Sequence, residues 1–278
     1  MRPKTVIDPE HSGVGYWKDL WAYRGLFRFL AWRDLLVRYK QTVIGVAWAV
    51  IKPLLTIVVF SFLGKLIGSQ AQTASLPLMV TAAALPWGLF SQILSDSSNS
   101  LIANSNLITK IYFPRLVVPL STVIVCLVDF AVGLVILIGL MIYYGQMPSV
   151  HLVFLPLFVL LAMFSSMGVG IFLASLNVKY RDFRYIVPFI IQLGIFVCPI
   201  MIKSSVVLEN PHVPEWIKVL YQCNPMVAVI DGFRWCLFGN EFELNAQTIL
   251  FGTGITVVFL ISGVLYFRKV EKNFADII

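Results

Sequence analysis

Residues able to do chemistry are few in this 278-residue chain, and their spacing says more than their number. His11, His151 and His212 lie far apart and outside every apolar run, and no HExxH or other metal-ligand spacing occurs. The four cysteines contain no CxxC. Cys126 and Cys198 fall in apolar runs and read as packing residues. Cys223 and Cys236 share one segment, where a disulfide stays open because proximity cannot be read from sequence. There is no GxxxxGK[ST] loop to cradle phosphates, so ATP is not expected to bind here in that way. No Ser/His/Asp arrangement stands out, and no DxD pair serves a sugar-transferring enzyme; Asp96 and Asp182 stand singly. The reading is a chain with no catalytic residue, no metal and no cofactor of its own.

What remains is charge where charge is costly. Lys52 is the tenth residue of the first apolar run and Asp129 the fourteenth of the third. If both helices run outward from the same side, their depths differ by only about 6 Å. Ionisable residues within a span are expensive and invite a functional reading. Three are open: the two pair, they face a water-filled path, or backbone and headgroups satisfy each. A second set, Arg24, Arg28, Arg33, Arg38 and Lys40, lies in residues 16–40. At 100° per residue Trp17, Trp21, Trp32, Leu35 and Tyr39 share a helix face with Arg24 and Arg28. Such a face suits the headgroup layer. It anchors the helix there, or its guanidinium forks receive a lipid phosphate.

The elements that must position these residues follow from composition. Apolar residues make up 59% of the chain and charged ones 13%, against about 45–50% and about 25% in soluble domains. Disorder and a soluble enzyme are both excluded by these values, and lipid is the expected solvent. Six apolar runs follow: Val43 to about Ile67, Leu76 to about Leu94, Leu116 to Tyr144, Leu152 to Leu176, Ile186 to Ile202, and Ile249 to Phe267. The fifth carries Pro188 and Pro199 and is short for a span, so it reads as broken or partly re-entrant. The fold class is thus an all-α integral membrane protein with six transmembrane helices. Residues 1–42 form a cytoplasmic N-terminal interfacial segment, and residues 43–278 the spanning domain.

The net charge of +7 needs no nucleic acid, because the positive-inside bias accounts for it. With the N-terminus inside, the cytoplasmic pieces hold sixteen of the 21 Lys and Arg and the external pieces four. Both termini are therefore predicted to be cytoplasmic. Segment 204–246 is the one long external connection. Glu215 to Gln222 and Met226 to Phe238 read as short helices in it, with Gly239-Asn240 as a stop.

The stretch from Asn99 to Arg115 is the most specific in the chain, above all Asn106-Leu107-Ile108-Thr109-Lys110-Ile111-Tyr112-Phe113-Pro114-Arg115. It follows Leu85-Pro86-Trp87-Gly88-Leu89-Phe90 and precedes Val118-Pro119-Leu120. Tyr180-Arg181-Asp182, Asn224-Pro225-Met226 and Gly232-Phe233-Arg234 come later in order. With these motifs the chain resembles the permease subunits of ABC type-2 polysaccharide exporters, the O-antigen, capsule and teichoic-acid group, nearest to the O-antigen permeases. The resemblance covers nearly the whole chain. It implies a homodimer in the bacterial inner membrane, docked on two copies of a cytoplasmic ABC ATPase that binds ATP and Mg. It implies an undecaprenyl-diphosphate-linked glycan as substrate.

The resemblance also makes residues 99–113 a coupling helix on the ATPase. Asn106, Leu107, Ile108, Lys110, Ile111, Tyr112, Phe113 and Arg115 are its expected contacts. In the residues themselves Leu107, Ile108 and Ile111 form an apolar stripe, with Asn and Ser as caps. Arg24, Arg28, Arg33, Arg38 and Lys40 would meet the lipid diphosphate on entry. The external helices, with Trp216, Tyr221, Asp231 and Arg234, would gate the outer mouth. A type-2 drug or lipid exporter is the nearest rival. An inert scaffold fits poorly with mid-membrane charge and a proline-broken fifth run.

Overall fold

The computed structural model describes residues 14–40, 45–66, 76–180, 182–239 and 242–274. Among these residues the chain is helical, with no strand. Two helices open it, α1 (Val14–Ala22) and α2 (Arg24–Lys40), separated at Tyr23 where one interfacial helix was expected. Then come α3 (Gly45–Leu66), α4 (Leu76–Ala103), the short α5 (Ser105–Lys110) and α6 (Val117–Tyr143). A 3-10 turn at Val150–Phe154 leads into α7 (Leu155–Lys179), and α8 (Phe183–Val197) follows. The segment after it holds α9 (Ser204–Leu208), α10 (Glu215–Gln222) and α11 (Pro225–Phe238), and α12 (Ala246–Val270) closes the bundle.

Each apolar run becomes a helix, with informative differences. α4 continues well past the apolar run, through Ser95 to Ala103. Its polar residues there turn inward, with Ser97, Ser98 and Ser100 buried. Asn177 on α7 donates to the Ser98 carbonyl at 3.0 Å. Four helices among the described residues are long and apolar enough to cross a membrane: α4, α6, α7 with its leading turn, and α12. The chain is a multi-pass membrane protein. α8 has 15 residues, which rise only about 22 Å, so it stops short of a full span.

The core sits where α7 packs on α4 and α12, and α4 on α6. Lipid supplies no hydrophobic drive between spans, so close backbone approach matters. At the α7–α12 crossing a Cβ on Gly263 would lie 2.3 Å from the Gly168 carbonyl oxygen. Only glycine permits that contact. Asn224 and Asn245 cap α11 and α12 by accepting from Met226 N at 3.0 Å and Gln247 N at 2.9 Å. α11 ends at Gly239, whose φ of 65° is the left-handed conformation that glycine adopts freely.

Candidate coupling and entry sites

The first site lies where α2 meets the bundle. α2 packs on α6 and presents Arg38 to two carboxylates. Arg38 Nη1 donates to Asp129 Oδ2 on α6 at 2.7 Å, and Nη2 to Asp96 Oδ2 on α4 at 2.8 Å. The Tyr39 hydroxyl and the Gln92 amide also donate to Asp129. Cys126 lies 3.6 Å from Asp96 Oδ2. Burial works against the Arg38 charge, but Asp96 and then Asp129 outweigh it, and its pKa lies above the ordinary value. Asp129 is thus held by three side chains from α2 and α4. The Lys52 side chain lies outside the described residues, and so does its suggested pairing with Asp129. Asp96, Gln92 and Tyr39 were not expected here. The available signal was Gln92, Asp96 and Asn99 at helical spacing, a polar stripe that only a continuing α4 explains.

The other basic residues of α2 divide. Arg33 donates to Asp34 Oδ1 and, at 2.6 Å, to Asn104 Oδ1 between α4 and α5. Arg24, Arg28 and Lys40 are exposed, with Arg24 5.8 Å from the Trp21 ring centroid. Trp17, Trp21, Phe29 and Trp32 are exposed on the same two helices.

The second site is residues 104–115. α5 is only six residues long, and residues 99–103 belong to the end of α4. Asn104 at its start makes no side-chain cap; its amide donates back to the Ser100 carbonyl at 2.9 Å. The apolar stripe is split. Ile108 is 3% exposed and belongs to the core, whereas Ile111 is 54% and Tyr112 63% exposed. The reason is local: Ile111 is extended, at φ −132° and ψ 136°, and has left the helical register. Phe113 is buried, and Asn106 and Lys110 are exposed. Arg115 faces the C-terminal end of the chain. Its backbone N–H donates to Glu271 Oε1 at 2.7 Å, and its guanidinium donates to the Glu271 carbonyl. Burial raises the Glu271 pKa against these contacts. Phe274, fully buried against Phe267, completes this join.

The third site lies on α10 and α11 and the stretch after α8. Arg234 is fully buried and donates to the carbonyls of Ile200 at 2.9 Å and Ile202 at 3.2 Å. Those carbonyls lie in the irregular stretch after α8, where no helix satisfies them. Asp231 is buried beside it and accepts from the Ser204 hydroxyl at 2.5 Å. Burial pushes Asp231 up to about 6 and pulls Arg234 down to about 10. The buried Tyr221 hydroxyl finds no partner among the described residues, and Trp216 is exposed. Cys223 and Cys236 are both free, so the disulfide left open by the sequence is not formed. Among the described residues no group of three His, Cys, Asp or Glu is placed to hold a metal.

Four long apolar helices, a short helix between two of them and a buried helix among the short ones before α12 make up a helical membrane domain. The chain belongs to the ABC-2 type transporter family, whose model matches residues 25–238, from α2 through α11. Among its relatives is the O-antigen export system permease protein RfbA of Myxococcus xanthus. The two are 26% identical over 259 residues, 93% of this chain and 97% of that protein. A protein of the same name from Klebsiella pneumoniae is 29% identical over 247 residues, 88% of this chain and 92% of its own length.

Proposed function

We propose that this chain is the permease subunit of an ATP-driven exporter that moves an O-antigen-like polysaccharide, linked to undecaprenyl diphosphate, out across the bacterial inner membrane. The observation that carries the reading is likeness along almost the full length of relatives named O-antigen export permeases. In this reading the chain does no chemistry. ATP and Mg belong to two copies of a cytoplasmic ATPase, and the permease is a homodimer. α3, and α8 together with the irregular stretch after it, complete six crossings, with both termini inside.

Residues 104–115 dock on the ATPase through Ile111 and Tyr112, flanked by Asn106 and Lys110. Leu107, Ile108 and Phe113 support that edge, and Arg115 fixes its exit. Arg24, Arg28 and Lys40 receive the lipid diphosphate, since Arg33 and Arg38 are committed to partners within the chain. α10 and α11 close the outer mouth, with Trp216 at the surface and Tyr221, Asp231 and Arg234 behind it. Co-purification with the candidate ATPase, followed by ATP hydrolysis with and without a defined undecaprenyl-diphosphate glycan, tests the reading. Stimulation by the glycan is expected; a complex indifferent to it would refute the assignment.

A further inference from the structure

One helix reaches both the docking segment and the middle of the bundle. Along α2 and the residue before it, three polar links fall in order. The Tyr23 hydroxyl lies 3.5 Å from the Tyr112 carbonyl, at the exit of α5. Arg33 holds Asn104, the joint between α4 and α5, at 2.6 Å. Arg38 holds Asp96 and Asp129. From Tyr23 to Arg38 a helix rises about 22 Å. Asp96 sits about 10 Å up α4 from its Ala103 end, and Asp129 about 18 Å along α6 from Val117. The links are not interchangeable. Those at Tyr112 and Asn104 meet the element that would feel a partner, and the one at Arg38 joins two spans that have no other ion pair among the described residues.

The Arg38 joint also has a stoichiometry that suits movement. One guanidinium faces two carboxylates on two different helices. Both pairs are formed at once, so this one residue ties α2 to α4 and to α6 and the three move together. Asp129 is held to α2 a second time by the Tyr39 hydroxyl and to α4 by the Gln92 amide. A Lys would have to meet both carboxylates from one nitrogen, whereas the guanidinium offers each helix a nitrogen of its own.

We propose that Arg38, Asp96 and Asp129 are positioning residues that make α2 a rigid connecting rod. Displacement of residues 104–112 is carried through Arg33 and Arg38 into α4 and α6. The inference rests on the proposed docking of an ATPase at those residues. Links in series have a signature: breaking either interrupts the path, and breaking both costs no more than breaking one.

The test uses the full chain co-purified with its ATPase in lipid nanodiscs, with Arg33→Gln, which breaks the Asn104 link from the α2 side, Arg38→Gln and the double variant. Asp96→Asn, which leaves the Arg38–Asp129 pair intact, serves if Arg38→Gln fails to fold. Glycan-stimulated hydrolysis should fall roughly 2- to 30-fold in each single variant, the range over which such residues modulate coupling. Complex yield and unstimulated hydrolysis should hold, and the double variant should match the worse single one. Losses that multiply, or that merely follow the amount of folded complex, overturn the proposal.

A second measurement separates its failure from that of the function. Spin labels at Phe29→Cys on α2 and Ile138→Cys on α6, in a background without native cysteines, should report one narrow distance with and without ATP, broadened by Arg38→Gln. A wild-type distance that changes with nucleotide sinks the rod even if export is real. A complex unresponsive to glycan, with the narrow distance retained, sinks the function alone.

Discussion

Ile108 and Ile111 are three residues apart in one short segment, yet substitution should affect them in opposite ways. Ile108 is 3% exposed in the core, so Ile108→Ala deletes packed methyl groups and should cost about 2–5 kcal/mol of stability. Ile111 is 54% exposed, and its backbone N–H donates to the Leu107 carbonyl at 3.1 Å whatever its side chain. Ile111→Ala should therefore change stability by no more than about 0.5 kcal/mol. If an ATPase covers the exposed half, that surface is worth about half of the 1.5–3 kcal/mol for a fully buried Ile. Affinity should then fall about four- to twelvefold, by about 0.8–1.5 kcal/mol. Ile111→Asp should lose more, because its carboxylate would also have to shed water. The assay is titration of purified ATPase against permease in nanodiscs, beside a melting curve of the permease alone. Wild-type affinity in Ile111→Asp would refute docking at this edge. So would Ile108→Ala weakening binding with an unchanged melting temperature.

Three further outcomes are expected. Gly263→Ala places a methyl group against the Gly168 carbonyl, which cannot yield without parting α7 from α12. It should lower stability by about 1–3 kcal/mol or more, while Gly254→Ala, with nothing within 4 Å, should not; paired melting curves decide. Asp231 is raised by burial to about 6 from an ordinary 3.8, so the folded state favours its proton. Stability should fall as pH rises between those values and level off above them. Asp231→Asn should flatten that part of the melting-temperature profile between pH 3.5 and 7, and an unchanged slope would exonerate Asp231. Cys223 is the one cysteine of the four that is not buried. An impermeant maleimide should label it in right-side-out spheroplasts; labelling only after lysis would invert the orientation.

The helices were legible because lipid makes a strong rule of their composition. A run that spans must be predominantly apolar, so Leu116–Tyr144 marks α6 to within a residue. Residues 215–222 were equally readable, and Asn224, Pro225 and Gly239 carry the start and stop signals of α11 in their own chemistry. Other features depend on what a helix meets, and no periodicity holds that. Residues 99–103 read as the start of a separate coupling helix because the apolar run stops near Leu94; they continue α4 instead, along which Gln92 meets α6, Asp96 meets α2 and Asn99 meets α7.

The partner of Asp129 shows the limit most clearly. Within the spans, Lys52 was the one cation at a matching depth, and depth along a helix axis is computable from residue count. Which cation points at Asp129 is not, because α2 contributes Arg38 from a segment that is separate in sequence. The cost of an unpaired carboxylate in a span was nevertheless a sound guide. It demands a donor, and the fold supplies three. The same principle explains Arg234. Its burial would be untenable alone, but the break after α8 leaves the carbonyls of Ile200 and Ile202 in equal need of donors. At Asp129 a carboxylate on one helix meets donors from two others; at Arg234 a buried charge meets the carbonyls freed by a helix break. Each join ties segments distant in sequence, α2 to α4 and α6, and α11 to the end of α8. A transport domain whose spans must shift without exposing polar groups to lipid needs joins of this kind, where one guanidinium holds two acceptors at once.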